Sequence, residues 1–250
     1  MQNKIFNKDC IKGMKLLNND SINLIIADPP YNLNKNFGVY NEKKEKNSWK
    51  KNTLDWLTES YRVLSDEGNI FVYGIHKNLC WVQCMMYEIG FKYRRQIIWH
   101  YENGFAGYGK KSLNAEYEPL LWFSKTENYI YHPIRIPYKS TERLKYKITK
   151  NNKVWTPNPD GRMEGDVWKF PTLAGRSFKN EKVDHPTQKP LSISRRIVKH
   201  FSNENDRVLI PFCGSGSECV ASVLENRKFL SYELNKDYIE ISKKRLKLIK

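Results

Sequence analysis

The sequence predicts an α/β fold, one full domain built on an open sheet, and three observations carry that prediction. Short apolar runs rich in β-branched residues recur at 22–27, 69–73, 207–210 and 228–232, each bounded by turn residues as buried strands are. Segments with helical spacing of apolar residues separate them. A strand, a Gly-containing turn and a helix follow one another at 207–225, which is half of a nucleotide-binding unit. The length, 250 residues, suffices for one such domain with a sizeable core.

Taken in order, a strand at Lys4–Asn7 leads through Asp9-Cys10 to a short helix around 11–17. The Ile22–Ala27 strand ends on Asp28-Pro29-Pro30-Tyr31. Residues 32–52, polar and rich in Asn and Lys, read as a mobile loop beside the site, either a lid or a nucleic-acid contact with Lys43 and Lys44 as its candidate residues. A helix resumes at Thr53 with Leu54, Leu57, Tyr61 and Leu64 on one face and Gly68 as its stop. After the 69–73 strand comes a helix through Trp81 and Met85 that ends at Gly90, then strands at 95–99 and 118–123 around a Gly-rich connection. The last third is regular: a helix at 191–201, the Arg207–Ile210 strand, a helix through Glu225, a strand at 228–232 closed by Glu233, and a helix at 237–247.

Residues 134–182 differ. They lack sustained periodicity and hold twelve Lys or Arg against five Asp or Glu, a local charge of +7. Tyr138, Tyr146, Trp155, Trp168, Phe170 and Phe178 are interleaved with the cations, a pattern that suits phosphate neutralisation plus base contacts. Arg143, Lys145, Lys147, Lys153 and Arg162 are the candidate DNA-binding residues there. The alternative is a solvated insertion whose aromatics fill a small satellite core. The chain as a whole carries +16, which favours a polyanionic partner, nucleic acid first.

Composition narrows the class further. Apolar residues make up 40% of the chain and no run approaches the roughly 18 that a membrane span needs, so no membrane partner is expected. The first residues lack the apolar core of a signal peptide, which points to the cytoplasm. Five cysteines, an odd number, read as reduced thiols. Cys80 and Cys84 lack the spaced partners of a metal site and read as buried small hydrophobes, so no metal is expected.

Three segments carry chemistry. Asp28-Pro29-Pro30-Tyr31 stands at a strand's carboxyl end, where open α/β sheets place ligands. Its prolines fix the backbone beside a carboxylate and a ring, a set suited to a flat, amino-bearing heterocycle. In Pro211-Phe212-Cys213-Gly214-Ser215-Gly216, the glycines allow close backbone approach to a ligand, and Glu233 at the end of the next strand is placed for ribose hydroxyls. The missing third glycine disfavours a pyrophosphate and suits a nucleoside such as S-adenosylmethionine. In His185-Pro186-Thr187-Gln188-Lys189-Pro190, Thr187, Gln188 and Lys189 could hold a carboxylate; the same residues also satisfy an N-cap turn with Pro190 first in the helix, and the segment alone does not choose.

Together and in this order, the three motifs resemble the amino-group DNA methyltransferases of the β (permuted) class, adenine-N6 type with the Asp-Pro-Pro-Tyr motif, over nearly the whole chain. The resemblance implies the S-adenosylmethionine-dependent methyltransferase (Rossmann-like) fold, with a mostly parallel seven-stranded sheet containing one antiparallel strand. It implies a catalytic half at 1–133, an inserted target-recognition region at 134–182 and a cofactor-binding half at 183–250. Asp28, Pro29, Pro30 and Tyr31 become the catalytic residues, with Asp28 and the Pro29 carbonyl accepting the amine N–H groups and Tyr31 stacking on a flipped base. Asp9 and Cys10 fall beside the cofactor adenine. The cofactor set also takes in Asp28, Thr187, Gln188, Lys189, Pro211, Phe212, Cys213, Gly214, Ser215, Gly216 and Glu233.

Partners implied by the resemblance are double-stranded DNA, a second copy of the chain and a cognate restriction endonuclease. Two departures stand out: Ile210 precedes Pro211-Phe212 where the family usually has Asp, and Ser217-Glu218 replaces Thr-Thr. No Pro-Cys dipeptide occurs, which disfavours covalent cytosine-C5 chemistry. Cytosine-N4 methylation, RNA methylation and non-catalytic DNA binding are the competing functions.

Overall fold

The computed structural model describes residues 3–33, 45–103, 111 and 113–249. The described strands are β1 (Lys4–Asn7), β2 (Ile22–Ala27), β3 (Leu64–Tyr73), β4 (Lys92–Tyr101), β5 (Tyr117–Ser124) and β6 (Arg135–Ile136). They continue with β7 (Ile148–Lys150), β8 (Lys153–Trp155), β9 (Arg162–Met163), β10 (Val167–Phe170), β11 (Arg207–Ile210) and β12 (Lys228–Glu233). The helices are α1 (Cys10–Met14), α2 (Lys46–Val63), α3 (Leu79–Ile89), α4 (Leu191–His200), α5 (Ser217–Leu224) and α6 (Lys236–Lys247). None of the described helices is long and apolar enough to cross a membrane.

The main sheet runs β1-β12-β11-β2-β3-β5-β4-β10. Only β5 is antiparallel to its neighbours in that sheet. Seven strands match the expected sheet; the eighth, β10, comes from the 134–182 region and adds itself parallel to β4. Trp168 and Phe170 are therefore buried core residues rather than surface aromatics, because alternate positions of β10 turn inward.

Strand alternation splits the core in two. Ile25, Ala27, Ile70 and Val72 face one side with Met14 of α1, Trp56 and Leu57 of α2 and Met86 of α3. Leu24, Ile26, Phe71 and Tyr73 face the other, with Ile193 and Ile197 of α4 and Ala221 of α5. Helices thus cover both faces, and the carboxyl ends of β1, β2, β11 and β12 meet at one edge.

Several local expectations are corrected. α2 starts at Lys46, so residues 46–52 are helical; Lys43 and Lys44 lie outside the described residues. Its buried residues are Trp49, Thr53, Trp56, Leu57, Ser60 and Val63, so the expected Leu57 is buried while Leu54 is 39% exposed. Thr53 and Ser60 can be buried because each hydroxyl donates to the carbonyl four residues earlier, a pattern that hydropathy alone hides. The helix ends at Val63, not at Gly68, because Leu64 already has extended backbone and begins β3. α1 stops at Met14, short of the expected 17. Gly90 does close α3, in the left-handed region at φ 111°. Cys80 and Cys84 are exposed, not buried.

Candidate active site

The edge where the parallel strands end forms a pocket. After β1 it receives Asp9 and Cys10, after β2 Asp28 to Tyr31, after β11 Pro211, Phe212 and Gly214, and from β12 Tyr232 and Glu233. His185 and Thr187 close one side and Tyr238 of α6 another. Eleven of the expected site residues thus share one wall. Gln188, Lys189, Cys213, Ser215 and Gly216 stand behind it.

Local hydrogen bonds explain how each segment is held. Asp9 caps α1 by accepting from the Lys12 amide at 3.0 Å. Burial pushes the adjacent Cys10 thiol up to about 12, so it stays protonated. The turn after β2 is clamped from below: Trp49 Nε1 donates to the Pro30 carbonyl at 3.2 Å, and Asn78 Nδ2 to the Tyr31 carbonyl at 2.6 Å. Glu233 accepts from the amides of Gly214 (2.8 Å), Leu234 (2.8 Å) and Asn235 (2.9 Å). Two of these bonds use Oε1, leaving Oε2 as the oxygen with room for a ligand hydroxyl.

The residues behind the wall shape it. Gln188 Nε2 donates to the Glu181 carbonyl at 2.9 Å, and Gln188 Oε1 accepts from the Val183 amide at 2.8 Å, which ties the turn to itself. Pro190 is the N-cap of α4, one position before the first helical residue, and Glu181 caps the helix by accepting from the Leu191 amide at 2.6 Å. Arg245 reaches the Ser215 carbonyl at 2.8 Å and Ser217 Oγ at 3.0 Å, and Ser217 Oγ donates to the Lys189 carbonyl at 2.7 Å. Cys213 and Cys219 are buried as free thiols. The His185 ring packs edge-on against Tyr238 with centroids 4.5 Å apart, and its Nδ1 accepts from the Thr187 amide at 3.3 Å. Burial pulls its pKa down to about 4, so the ring is neutral at neutral pH.

Ile210 is 1% exposed and packs in the core against α4 and α5, away from the pocket wall. The departure from the family's Asp therefore leaves the wall made of Pro211 and Phe212. Glu218, the second departure, is buried and accepts from Ser194 Oγ at 3.1 Å.

Beneath the pocket floor lies a cluster not expected from the sequence. Lys189 Nζ is 3.1 Å from Asp28 Oδ2, 2.7 Å from Glu118 Oε1 and 3.2 Å from the Tyr31 hydroxyl. Tyr31 also donates to Asp28. Glu118 is the second residue of β5, and only the antiparallel course of that strand brings its first residues to the edge where the parallel strands end. Sequence order carries no signal for that meeting. Lys8, Asn52, Tyr232, Leu234 and Tyr238 also line the pocket and are not among the expected residues; Lys8, Tyr232 and Leu234 each adjoin one in sequence, which is the available signal.

The pocket's charge selects its ligand. Its described wall carries three carboxylates, Asp9, Asp28 and Glu233, against one ammonium, Lys8, in a chain of net charge +16. Such a wall disfavours phosphates and suits a nucleoside that bears a positive charge.

A family model described as DNA methylase matches residues 22–244. The chain belongs to the DNA methylase family. This DNA methylase is 31% identical over 246 residues to "Type II methyltransferase M1.MboII" of Moraxella bovis, covering 95% of this chain and 94% of that protein. It is 32% identical over 251 residues to "DNA adenine methyltransferase YhdJ" of Escherichia coli (strain K12), covering 97% and 82%. Its fold is similar to the crystal structure of the M1.HpyAVI-SAM complex, with TM-score 0.67 and 23% identity over 97% of this chain and 98% of that one. It is likewise similar to PvuII DNA methyltransferase (cytosine-N4-specific), with TM-score 0.72 and 16% identity over 97% and 85%. The DNA methylase is thus an enzyme with a DNA methyltransferase fold.

In the 134–182 region, Asn151 and Asn152 have φ of 51° and 59° and turn β7 into β8, the positive pair that a tight hairpin needs. Lys153 lies on that hairpin and Lys147 just before it, both exposed. Tyr146 and Trp155 are 64% and 61% exposed. Lys145 is paired with Glu142, Arg143 donates to the Tyr146 carbonyl at 2.8 Å, and Arg162 is exposed on β9.

Proposed function

We propose that this DNA methylase moves a methyl group from S-adenosylmethionine to the N6 amino group of adenine in double-stranded DNA. The observation that carries this reading is Asp28, an acceptor carboxylate on a clamped turn that also lines the nucleoside-binding pocket. Asp9, Glu233, Pro211, Phe212 and Gly214 would hold the cofactor's nucleoside, and the three wall carboxylates match its positive charge. Bound there, the cofactor supplies an electrophilic methyl group on sulfur.

The chain's own residues do the rest. An exocyclic amine is a weak nucleophile because its lone pair is delocalised into the ring. Asp28 and the Pro29 carbonyl accept its two N–H bonds and draw the nitrogen towards a pyramidal shape. Tyr31 presents a ring to the base. Positioning and preorganised charge supply the rate, without a covalent intermediate on the protein. The base leaves the duplex to reach the pocket. Support for adenine comes from the relative named as a DNA adenine methyltransferase and from Asp28, since a Ser at that position is more typical of the cytosine-N4 enzymes that the sequence resembles. Incubating duplex DNA with the protein and methyl-labelled S-adenosylmethionine should place label in the DNA; labelling of RNA alone would contradict the reading.

Residues 134–182 are proposed as the target-recognition region, with the β7–β8 hairpin and its flanking cations against the phosphate backbone. Charge reversal of Lys145 and Lys147 should weaken DNA binding and flatten its dependence on salt, with log K against log salt changing by about 0.9 per lost phosphate contact. Binding measured between low and moderate salt checks this. An unchanged slope would place the DNA elsewhere.

A further inference from the structure

We propose that Glu118 and Lys189 are positioning residues that fix the catalytic carboxylate Asp28 in place and keep a net negative charge facing the reacting amine. The inference rests on the methyltransferase reading of the site and extends it to two residues outside the pocket wall.

The geometry is specific. Lys189 is 4% exposed, and its three N–H bonds are all spent, on Asp28 Oδ2 (3.1 Å), Glu118 Oε1 (2.7 Å) and the Tyr31 hydroxyl (3.2 Å). Tyr31 bridges the carboxylates, donating to Asp28 with its oxygen 2.8 Å from Glu118 Oε1. Tyr101 of β4 donates to Glu118 Oε2 at 3.3 Å. The ammonium also lies 4.9 Å from the centre of the Tyr73 ring of β3. With its donors saturated, Lys189 is not placed to clamp a cofactor carboxylate, the role its motif suggested.

Two carboxylates and one ammonium give the cluster a charge of −1. As the nitrogen takes the methyl carbon, the carbon–sulfur electron pair returns to sulfur and the positive charge passes to the nitrogen. The nitrogen then gives up one N–H proton to Asp28. A cluster of charge −1 favours that developing cation, whereas Asp28 paired with Lys189 alone would present no net charge. Lys189 in turn sits between the two carboxylates and offsets their mutual repulsion, so that removing its cation favours a proton on the pair. Burial opposes the ammonium, yet Asp28 and Glu118 outweigh it and hold the lysine above its ordinary pKa. The other titratable groups facing the cluster are Tyr31, Tyr73 and Tyr101, whose pKa values burial pushes up, His185, neutral above about 4, and Glu218 of α5, whose carboxyl burial pushes up.

The test compares wild type, Glu118→Gln, Glu118→Asp and Lys189→Met in DNA methylation, with S-adenosylmethionine binding measured by calorimetry as a check on the folded pocket. Glu118→Gln is expected to lower kcat by about tenfold or more while cofactor affinity stays within about threefold, and Glu118→Asp to restore part of the loss. Lys189→Met is expected to move the acidic limb of the pH–rate profile upward by about one unit or more, with activity recovering at higher pH. Unchanged kcat in Glu118→Gln, or a Lys189→Met profile that superimposes on wild type, overturns the proposal. If Lys189→Met no longer binds cofactor, Glu118→Gln decides alone. Wild type that leaves DNA unmethylated would instead refute the functional reading beneath it.

Discussion

Asp28→Ala is expected to lower kcat by about 10²–10³-fold or more, the scale on which a single preorganised polar group stabilises a transition state. Cofactor affinity should stay within about tenfold, or about 1.4 kcal/mol, because Asp9, Glu233 and the Pro211-to-Gly214 turn line the same pocket and would hold the nucleoside independently. The separation follows from the position of Asp28 on the shared wall, with its carboxylate tied to Lys189 and Tyr31 on one side and open to the pocket on the other. Alanine removes the acceptor for the amine but leaves Lys189 paired with Glu118, so the buried ammonium is not orphaned. Single-turnover methylation with parallel calorimetry checks both halves. Full activity in the variant would remove Asp28 from the mechanism.

Gly216→Ala is expected to damage the cofactor side instead. Gly216 has φ 76°, a left-handed conformation that costs an L-residue about 1–2 kcal/mol. An added Cβ would also sit 2.6 Å from Ser242 Oγ and 2.7 Å from its Cβ. Ser242 cannot simply swing away, because its hydroxyl donates to the Gly214 carbonyl at 3.0 Å and so fixes the turn that reaches the pocket. The expected result is a loss of stability of about 1–3 kcal/mol in denaturant unfolding and weaker cofactor binding by about tenfold or more. A variant with unaltered cofactor affinity would show that the turn's shape does not matter to the pocket.

What the sequence revealed, and what it hid, follow from the range of the interactions involved. The strands at Ile22–Ala27 and Arg207–Ile210, and the segments that follow them, were legible because β-branched runs, proline pairs and glycines act locally. Long-range pairing was not legible. Glu118 reads as the first turn-side residue of a strand, and nothing near it announces that an antiparallel course carries it to Lys189, 71 positions away. Val167–Phe170 sits in a stretch rich in charge and poor in periodicity, yet it pairs with β4 and buries Trp168. The start of α2 is hidden because residues 46–52 are rich in Lys and Asn and bury Trp49 alone, too little for an apolar period to show. Lys189 illustrates a different limit: its motif singles it out, but its partners depend on which carboxylates the fold brings to it.

The central claim is that the turn after β2 presents an adenine amine to a methyl donor. The most direct measurement is to digest duplex DNA methylated by the wild-type protein with labelled S-adenosylmethionine and identify the labelled nucleoside by mass spectrometry. The account predicts label in N6-methyladenine, and its loss with Asp28→Ala. Label confined to N4-methylcytosine, or adenine labelling that survives Asp28→Ala undiminished, would contradict it.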